Sequence, residues 1–96
     1  MNSCRILIVE DDPVIAGAMA EHLKSWGHRP VCVRDFQHVT AEFAASQAQL
    51  VLLDVSLPFF NGYYWCAELR KLSQVPILFI SSAADNMNQI MAMNMG

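Results

Sequence analysis

Leu50-Val51-Leu52-Leu53-Asp54-Val55-Ser56-Leu57-Pro58 is the stretch whose reading decides the fold. Four apolar residues in succession indicate a strand covered on both faces, as in a parallel sheet with helices on either side. The run delivers one carboxylate, Asp54, to its end and stops at a proline. Open α/β sheets bind their ligands at the carboxyl ends of such strands, so Asp54 is the leading candidate for chemistry. Taken alone, Asp54 reads equally well as a turn cap before Pro58.

A second acidic cluster shifts that balance. Ile6-Leu7-Ile8-Val9 is another short run of aliphatic residues without polar alternation, and it ends in Glu10-Asp11-Asp12-Pro13. Asp12 followed by Pro13 is a helix start, with Asp accepting from free amides and Pro at the first helical position. Ile15, Ala18, Met19, His22, Leu23 and Trp26 recur at helical spacing, and Gly27 supplies the stop. His22 and His28 have no partner ligands at useful spacing and read as ordinary surface or boundary residues.

The same alternation continues down the chain. Pro30-Val31-Cys32-Val33 is a weaker strand whose proline suggests a sheet edge. A helix follows, with Asp35 as its expected cap and Phe36, Val39, Phe43 and Ala44 on one face. Beyond Pro58, Phe59 and Phe60 precede the turn signal Asn61-Gly62; one ring is expected to tuck in and the other to stay exposed. Tyr63, Tyr64, Cys66, Ala67, Leu69, Arg70 and Leu72 carry the next helix. Val75-Pro76-Ile77-Leu78-Phe79-Ile80 reads as a strand buried on both faces and closed by Ser81-Ser82. A Met-rich helix capped by Asp85 completes the pattern, its methionines read as packing residues.

Composition bounds the function classes. Ninety-six residues make one domain, and a hydrophobic fraction of 54% against 16% charged residues excludes disorder. A net charge of −3 with no Lys/Arg stripe gives no basis for nucleic-acid contact by this segment. Cys4, Cys32 and Cys66 are widely separated, without zinc-ligand spacing, and read as reduced thiols of a cytoplasmic protein. No apolar run approaches the roughly 20 residues of a membrane span, and no signal peptide is evident.

Strands alternating with helices through short loops indicate a parallel α/β sheet with right-handed crossovers. The carboxyl ends of the strands then share one edge, where Glu10, Asp11, Asp54 and Ser81 converge. Crowded carboxylates repel unless protonated or bridged by a cation. An all-oxygen set without Cys or His selects a hard ion such as Mg²⁺, and the combination describes a phosphoryl-transfer site. Asp54 is the expected nucleophile, and the Ser81 hydroxyl is expected to bond the phosphoryl group.

Ile6-Leu7-Ile8-Val9-Glu10-Asp11-Asp12, Leu52-Leu53-Asp54-Val55-Ser56-Leu57-Pro58, Asn61-Gly62 and Val75-Pro76-Ile77-Leu78-Phe79-Ile80-Ser81, in this order and spacing, resemble the receiver domain of two-component response regulators. The resemblance runs from Arg5 to Gly96. It implies a flavodoxin-like, doubly wound parallel sheet, here with four strands in the order 2-1-3-4 and about four helices. It also implies that Asp54 accepts a phosphoryl group from a histidine kinase and that Ser81 is the switch hydroxyl. Mg²⁺ would be held by Asp11 directly, by Glu10 through water, by Asp54 and by the backbone carbonyl of Ser56. Asp12 is assigned to helix capping.

The sequence also departs from the family. Ser82 stands where a small apolar residue is usual, and the family's fifth strand, with its Lys and switch aromatic, and fifth helix are not in these 96 residues. Lys24 and Lys71 fall in helices and do not replace that Lys. Residues 1–96 therefore read as a C-terminally truncated receiver domain from a longer regulator, with a DNA-binding output expected elsewhere. Slow phosphorylation and a homodimer or strand-swapped oligomer through the edge at Ile77–Ile80 are expected. Two other readings are a pseudo-receiver that acts only by binding partners and an aspartate-nucleophile phosphatase of the haloacid-dehalogenase type. The latter needs a second Asp two residues after the nucleophile, where Ser56 stands. The domain is thus read as a phosphoacceptor, with at most slow self-catalysed phosphotransfer and autodephosphorylation.

Overall fold

The computed structural model describes residues 3–80, so Ser81 and the Met-rich segment from Asp85 lie outside the described residues. The elements are β1 (Arg5–Val9), α1 (Pro13–Ser25), β2 (Arg29–Cys32), α2 (Val39–Ser46), β3 (Leu50–Asp54), α3 (Gly62–Arg70) and β4 (Ile77–Ile80). Four parallel strands form one sheet in the order β2-β1-β3-β4, the order that the resemblance implies. Leu7, Ile8 and Val9 of β1 and Val51 and Leu53 of β3 are wholly buried. Such strands carry no polar alternation because neither face meets water.

One face of the sheet holds the main core. Leu7, Val9, Val51, Leu53, Ile77 and Phe79 pack there with Val39 and Phe43 of α2 and Trp65, Cys66 and Leu69 of α3. Helix α1 covers β1 and β2 on the opposite face, through the small residue Ala16. Ala16 together with half-buried Met19, Ala20 and Leu23 forms the inward side, whereas Ile15 and Trp26 of the expected stripe are 45% and 64% exposed. Helical spacing marks a stripe, but the close approach of helix to sheet selects the small side chain for the contact.

The ends of α1 follow the sequence reading closely. Asp12 Oδ1 accepts from the amides of Val14 (2.9 Å) and Ile15 (3.3 Å), with Pro13 as the first helical residue. At the other end Gly27, with φ +90°, donates to the Lys24 carbonyl while His28 donates to that of Leu23. This is a Schellman closure, for which a residue without Cβ is best suited.

Two expectations are corrected. Asp35 does not cap α2, which begins at Val39 after His38. Its carboxylate is used locally instead, accepting from the Gln37 amide at 3.0 Å and pairing with the His38 ring at 2.7 Å. Glu42 meanwhile accepts from the amides of Arg34 and Asp35, so a carboxylate from inside the helix holds the loop. Nor is β4 buried on both faces: Ile77 and Phe79 are buried, Ile80 is half-buried, and Leu78 is 41% exposed. Among the described residues, helices cover β4 only on the α3 side.

Strand β2 occupies a sheet edge, as Pro30 suggests. The amides of Arg29 and Val33 donate to the carbonyls of Cys4 and Ile8, so the intervening even positions face away from β1 and Pro30 costs no ladder bond. Neither ring tucks in as expected: Phe59 is 69% and Phe60 40% exposed, although Phe60 stacks on Tyr64 at 4.3 Å between centroids and meets the edge of Trp65. Between them the chain makes a γ-turn, with the Phe60 amide donating to the Pro58 carbonyl at 2.8 Å and Phe59 at φ +69°.

Candidate functional site

The parallel topology brings the ends of β1 and β3 side by side, since Val9 pairs with Leu53 in register. Glu10 and Asp54 are the next residues, and Asp11 follows at the loop. One carboxylate oxygen from each of Glu10, Asp11 and Asp54 lies within 4.8 Å of the other two. Glu10 is 9% and Asp54 5% exposed, while Asp11 faces solvent. Two of the three charges therefore sit where water cannot fully solvate them.

Specific bonds hold this arrangement. Glu10 Oε2 accepts from the Asp12 amide at 3.0 Å, and Asp54 Oδ1 accepts from the Ser56 amide at 3.3 Å. Burial pushes the Glu10 carboxyl up to about 7 against the pull of the Asp12 amide, with the charges of Asp54 and Asp11 adding to the rise. Asp54 is also raised, chiefly by burial, and the Ser56 amide and a hydrogen bond from Glu10 oppose this. Below about pH 7 the pair thus relieves its repulsion by keeping a proton on Glu10, which donates it toward Asp54.

The cluster lies in an open cleft of about 440 Å³ lined by Glu10, Asp11, Asp12, Ile15, Met19, Asp54, Ser56 and Ile80. Of the residues singled out from sequence, Glu10, Asp11, Asp54 and Ser56 are brought together, and Ser81 lies outside the described residues. Asp12 lines the cleft but spends its carboxylate on the helix cap. Lys24 and Lys71 are elsewhere, paired on exposed helix surfaces with Glu21 and Glu68. Ile15 and Met19, which the sequence offered only as helix-packing residues, form an apolar wall beside the acids. Only the placement of α1 over the end of β1 reveals that role.

The donor set fits a small hard cation. Octahedral Mg²⁺ with oxygens at about 2.0–2.1 Å places neighbouring ligands roughly 3 Å apart and opposite ones about 4 Å apart, so acids within the observed spread can share one ion directly or through water. No Cys or His stands among the clustered ligands. The excess negative charge, relieved here by a proton, is the same excess that a divalent ion would neutralise.

Known proteins agree with this architecture. The sequence model of the response regulator receiver domain matches residues 6–96. The transcriptional regulatory protein YvcP of Bacillus subtilis is 45% identical over 92 residues, covering 96% of this chain and 39% of that protein. The response regulator protein GraR of Staphylococcus epidermidis is 42% identical, covering 96% of this chain and 41% of that protein. The chain thus spans about two fifths of the length of these curated relatives. Among solved structures, the N-terminal domain of the nisin resistance regulator NsrR superposes with a TM-score of 0.85 at 46% identity, covering 99% of this chain and 80% of that one. The BeF₃-activated receiver domain of Klebsiella pneumoniae RstA gives 0.85 at 33% identity, covering 96% of this chain and 79% of that one. With a family match across nearly its whole length, the same fold, and an acidic cleft at the carboxyl edge of the sheet, the chain belongs to the response regulator receiver domains.

Proposed function

We propose that this domain is the phosphoacceptor of a two-component system, with Asp54 taking the phosphoryl group from a phosphohistidine of a partner kinase. The observation that carries the reading is the convergence of Glu10, Asp11 and Asp54 at one sheet edge, with Asp54 buried but opening on the cleft. A carboxylate oxygen of Asp54 attacks phosphorus, the P–N bond to the imidazole breaks with its electron pair going to nitrogen, and an acyl phosphate forms. The Ser56 amide bonded to Asp54 Oδ1 helps to fix the carboxylate's orientation.

Glu10, Asp11, Asp54 and the backbone carbonyl of Ser56 would hold Mg²⁺, which supplies positive charge against the phosphoryl oxygens. Ile15 and Met19 form the apolar side of the cleft that the nucleophile opens on. Ser81 is proposed, from the family pattern, as the hydroxyl that bonds the phosphoryl group. RstA, which shares the fold, is described in a BeF₃-activated state. YvcP, whose name is that of a transcriptional regulatory protein, makes DNA-directed output the proposed consequence in the longer protein.

Intact mass after incubation with a small phosphodonor, with and without Mg²⁺, tests the reading, with Asp54→Asn as the control. The expected result is a metal-dependent gain of one phosphoryl group that the variant loses. No gain, in this chain or in one extended to the full length of its relatives, would sink the phosphoacceptor reading in favour of a domain that only binds partners.

A further inference from the structure

The Asn61-Gly62 pair is a turn signal in the sequence, but the structure gives the glycine a different task. Among the described glycines only Gly27 takes a positive φ, so Gly62 is not there for left-handed backbone. It is the first residue of α3, capped by Asn61, whose side chain accepts from the Tyr64 amide at 2.9 Å. The Gly62 amide donates to the Val55 carbonyl at 2.9 Å, which seats the start of α3 directly on the end of β3.

A Cβ at Gly62 would fall inside contact distance of the Asp54 carbonyl oxygen and only 3.0 Å from both Asp54 C and Val55 Cα. All three are backbone atoms, so no flexible side chain can swing aside. The other side of this peptide is also held, because the Val55 amide donates to the Ile80 carbonyl at 3.2 Å and Asp54 pairs in register with Ile80. The peptide that carries the Asp54 carboxylate and leads to Ser56 is thus clasped between β4 and the first turn of α3. Added bulk at position 62 must move the strand end or push α3 off it.

We infer that Gly62 is a positioning residue for the acidic cleft: by letting α3 close onto the Asp54–Val55 peptide, it sets the placement of Asp54 and Ser56 relative to Glu10 and Asp11. This rests on the proposed reading of the cleft as a divalent-cation site. Residues that orient ligands from behind typically contribute 10–100-fold to metal affinity, and Gly62 should fall in that range.

The test is a Mn²⁺ titration, followed by the electron paramagnetic resonance of the free ion, on the full chain at a temperature where circular dichroism shows each protein folded. Gly62→Ala should bind Mn²⁺ about 10–100-fold more weakly than the wild type. Its metal-free amide NMR signals should move at residues 54–56. Gly17→Ala, at an α1 site where an added Cβ meets nothing within 4 Å, and Phe43→Leu, which loosens the core beneath α2, should both retain wild-type affinity. Those controls separate positioning from general destabilisation.

Folded Gly62→Ala with wild-type affinity overturns the inference while leaving the cation site intact. A wild type that itself takes no Mn²⁺ overturns the cation reading first, and this inference with it. Should Gly62→Ala not fold, one glycine inserted between Phe60 and Asn61 lets α3 back away from the strand without adding a Cβ. Weakened Mn²⁺ binding in that variant supports the inference, and unchanged binding refutes it.

Discussion

Glu10 is the residue in which folding and site chemistry meet most directly. Its carboxyl is raised from an ordinary 4.5 to about 7 by burial and by its acidic neighbours, so the folded metal-free protein holds a proton that the unfolded chain releases. Below about pH 4.5 both states are protonated and the full contribution is present; it is lost as pH rises through about 7. Urea denaturation of the metal-free protein should therefore show stability falling across that window, by on the order of 1–3 kcal/mol from this group. Glu10→Gln should flatten the slope and leave the metal-free protein more stable than wild type at pH 8. Asp12, two residues on, is predicted to act on stability alone. Asp12→Ala should cost about 1 kcal/mol, the usual worth of an N-cap, without abolishing phosphorylation. Phe59, exposed and at φ +69°, carries local strain with little burial to offset it. Phe59→Gly should raise the urea midpoint, by roughly 0.5 kcal/mol of stability, the left-handed penalty slightly exceeding the entropy of glycine.

Among the elements, α3 does most to tie core to site. Its inner side places Leu69, with no exposed surface, against the sheet, and its first turn rests on the end of the Asp54 strand. Leu69→Ala should cost about 2–5 kcal/mol by the cavity it leaves, measured by chemical denaturation. Trp65, in the same core, is 4% exposed, and among the described residues its indole N–H has no hydrogen-bond partner. An unsatisfied buried donor already carries a desolvation penalty, so Trp65→Phe should lose less stability than the loss of ring volume alone would indicate. The core and the acidic cleft thus share a helix, and the helix is held at both ends.

For the whole molecule, the crowded acids make the cleft a place where folded stability and ligand binding are linked. A divalent ion that binds only the folded state raises stability by about 2.7 kcal/mol at 100 times its dissociation constant. Thermal unfolding at pH 8 should therefore shift upward with Mg²⁺, the shift should vanish on chelation, and Asp11→Ala or Asp54→Ala should remove most of it. A protein whose unfolding midpoint ignored Mg²⁺ at every concentration would lack the proposed site.

Much of this was written in the chain itself. The unbroken apolar runs Ile6–Val9 and Leu50–Leu53, each ending in acid, determine a parallel sheet, and a parallel sheet places strand ends on one edge by topology alone. The meeting of Glu10, Asp11 and Asp54 needs no knowledge of side-chain packing, and neither does the capping of α1 by Asp12, which is local. What only the tertiary structure decided depends on distance between elements. Helical spacing could not show that Ala16 faces the sheet while Trp26 faces outward, since that follows from how closely α1 lies on β1 and β2. Asp35 looked like a cap because its loop partner Glu42 is seven residues away, and Leu78 looked buried because an apolar residue in a strand carries no sign of its exposure, which is 41%. Gly62 shows the limit most clearly: the letters Asn-Gly announce a turn, but the steric need for glycine comes from the Asp54–Val55 peptide pressed against it, and only the folded chain brings that peptide there.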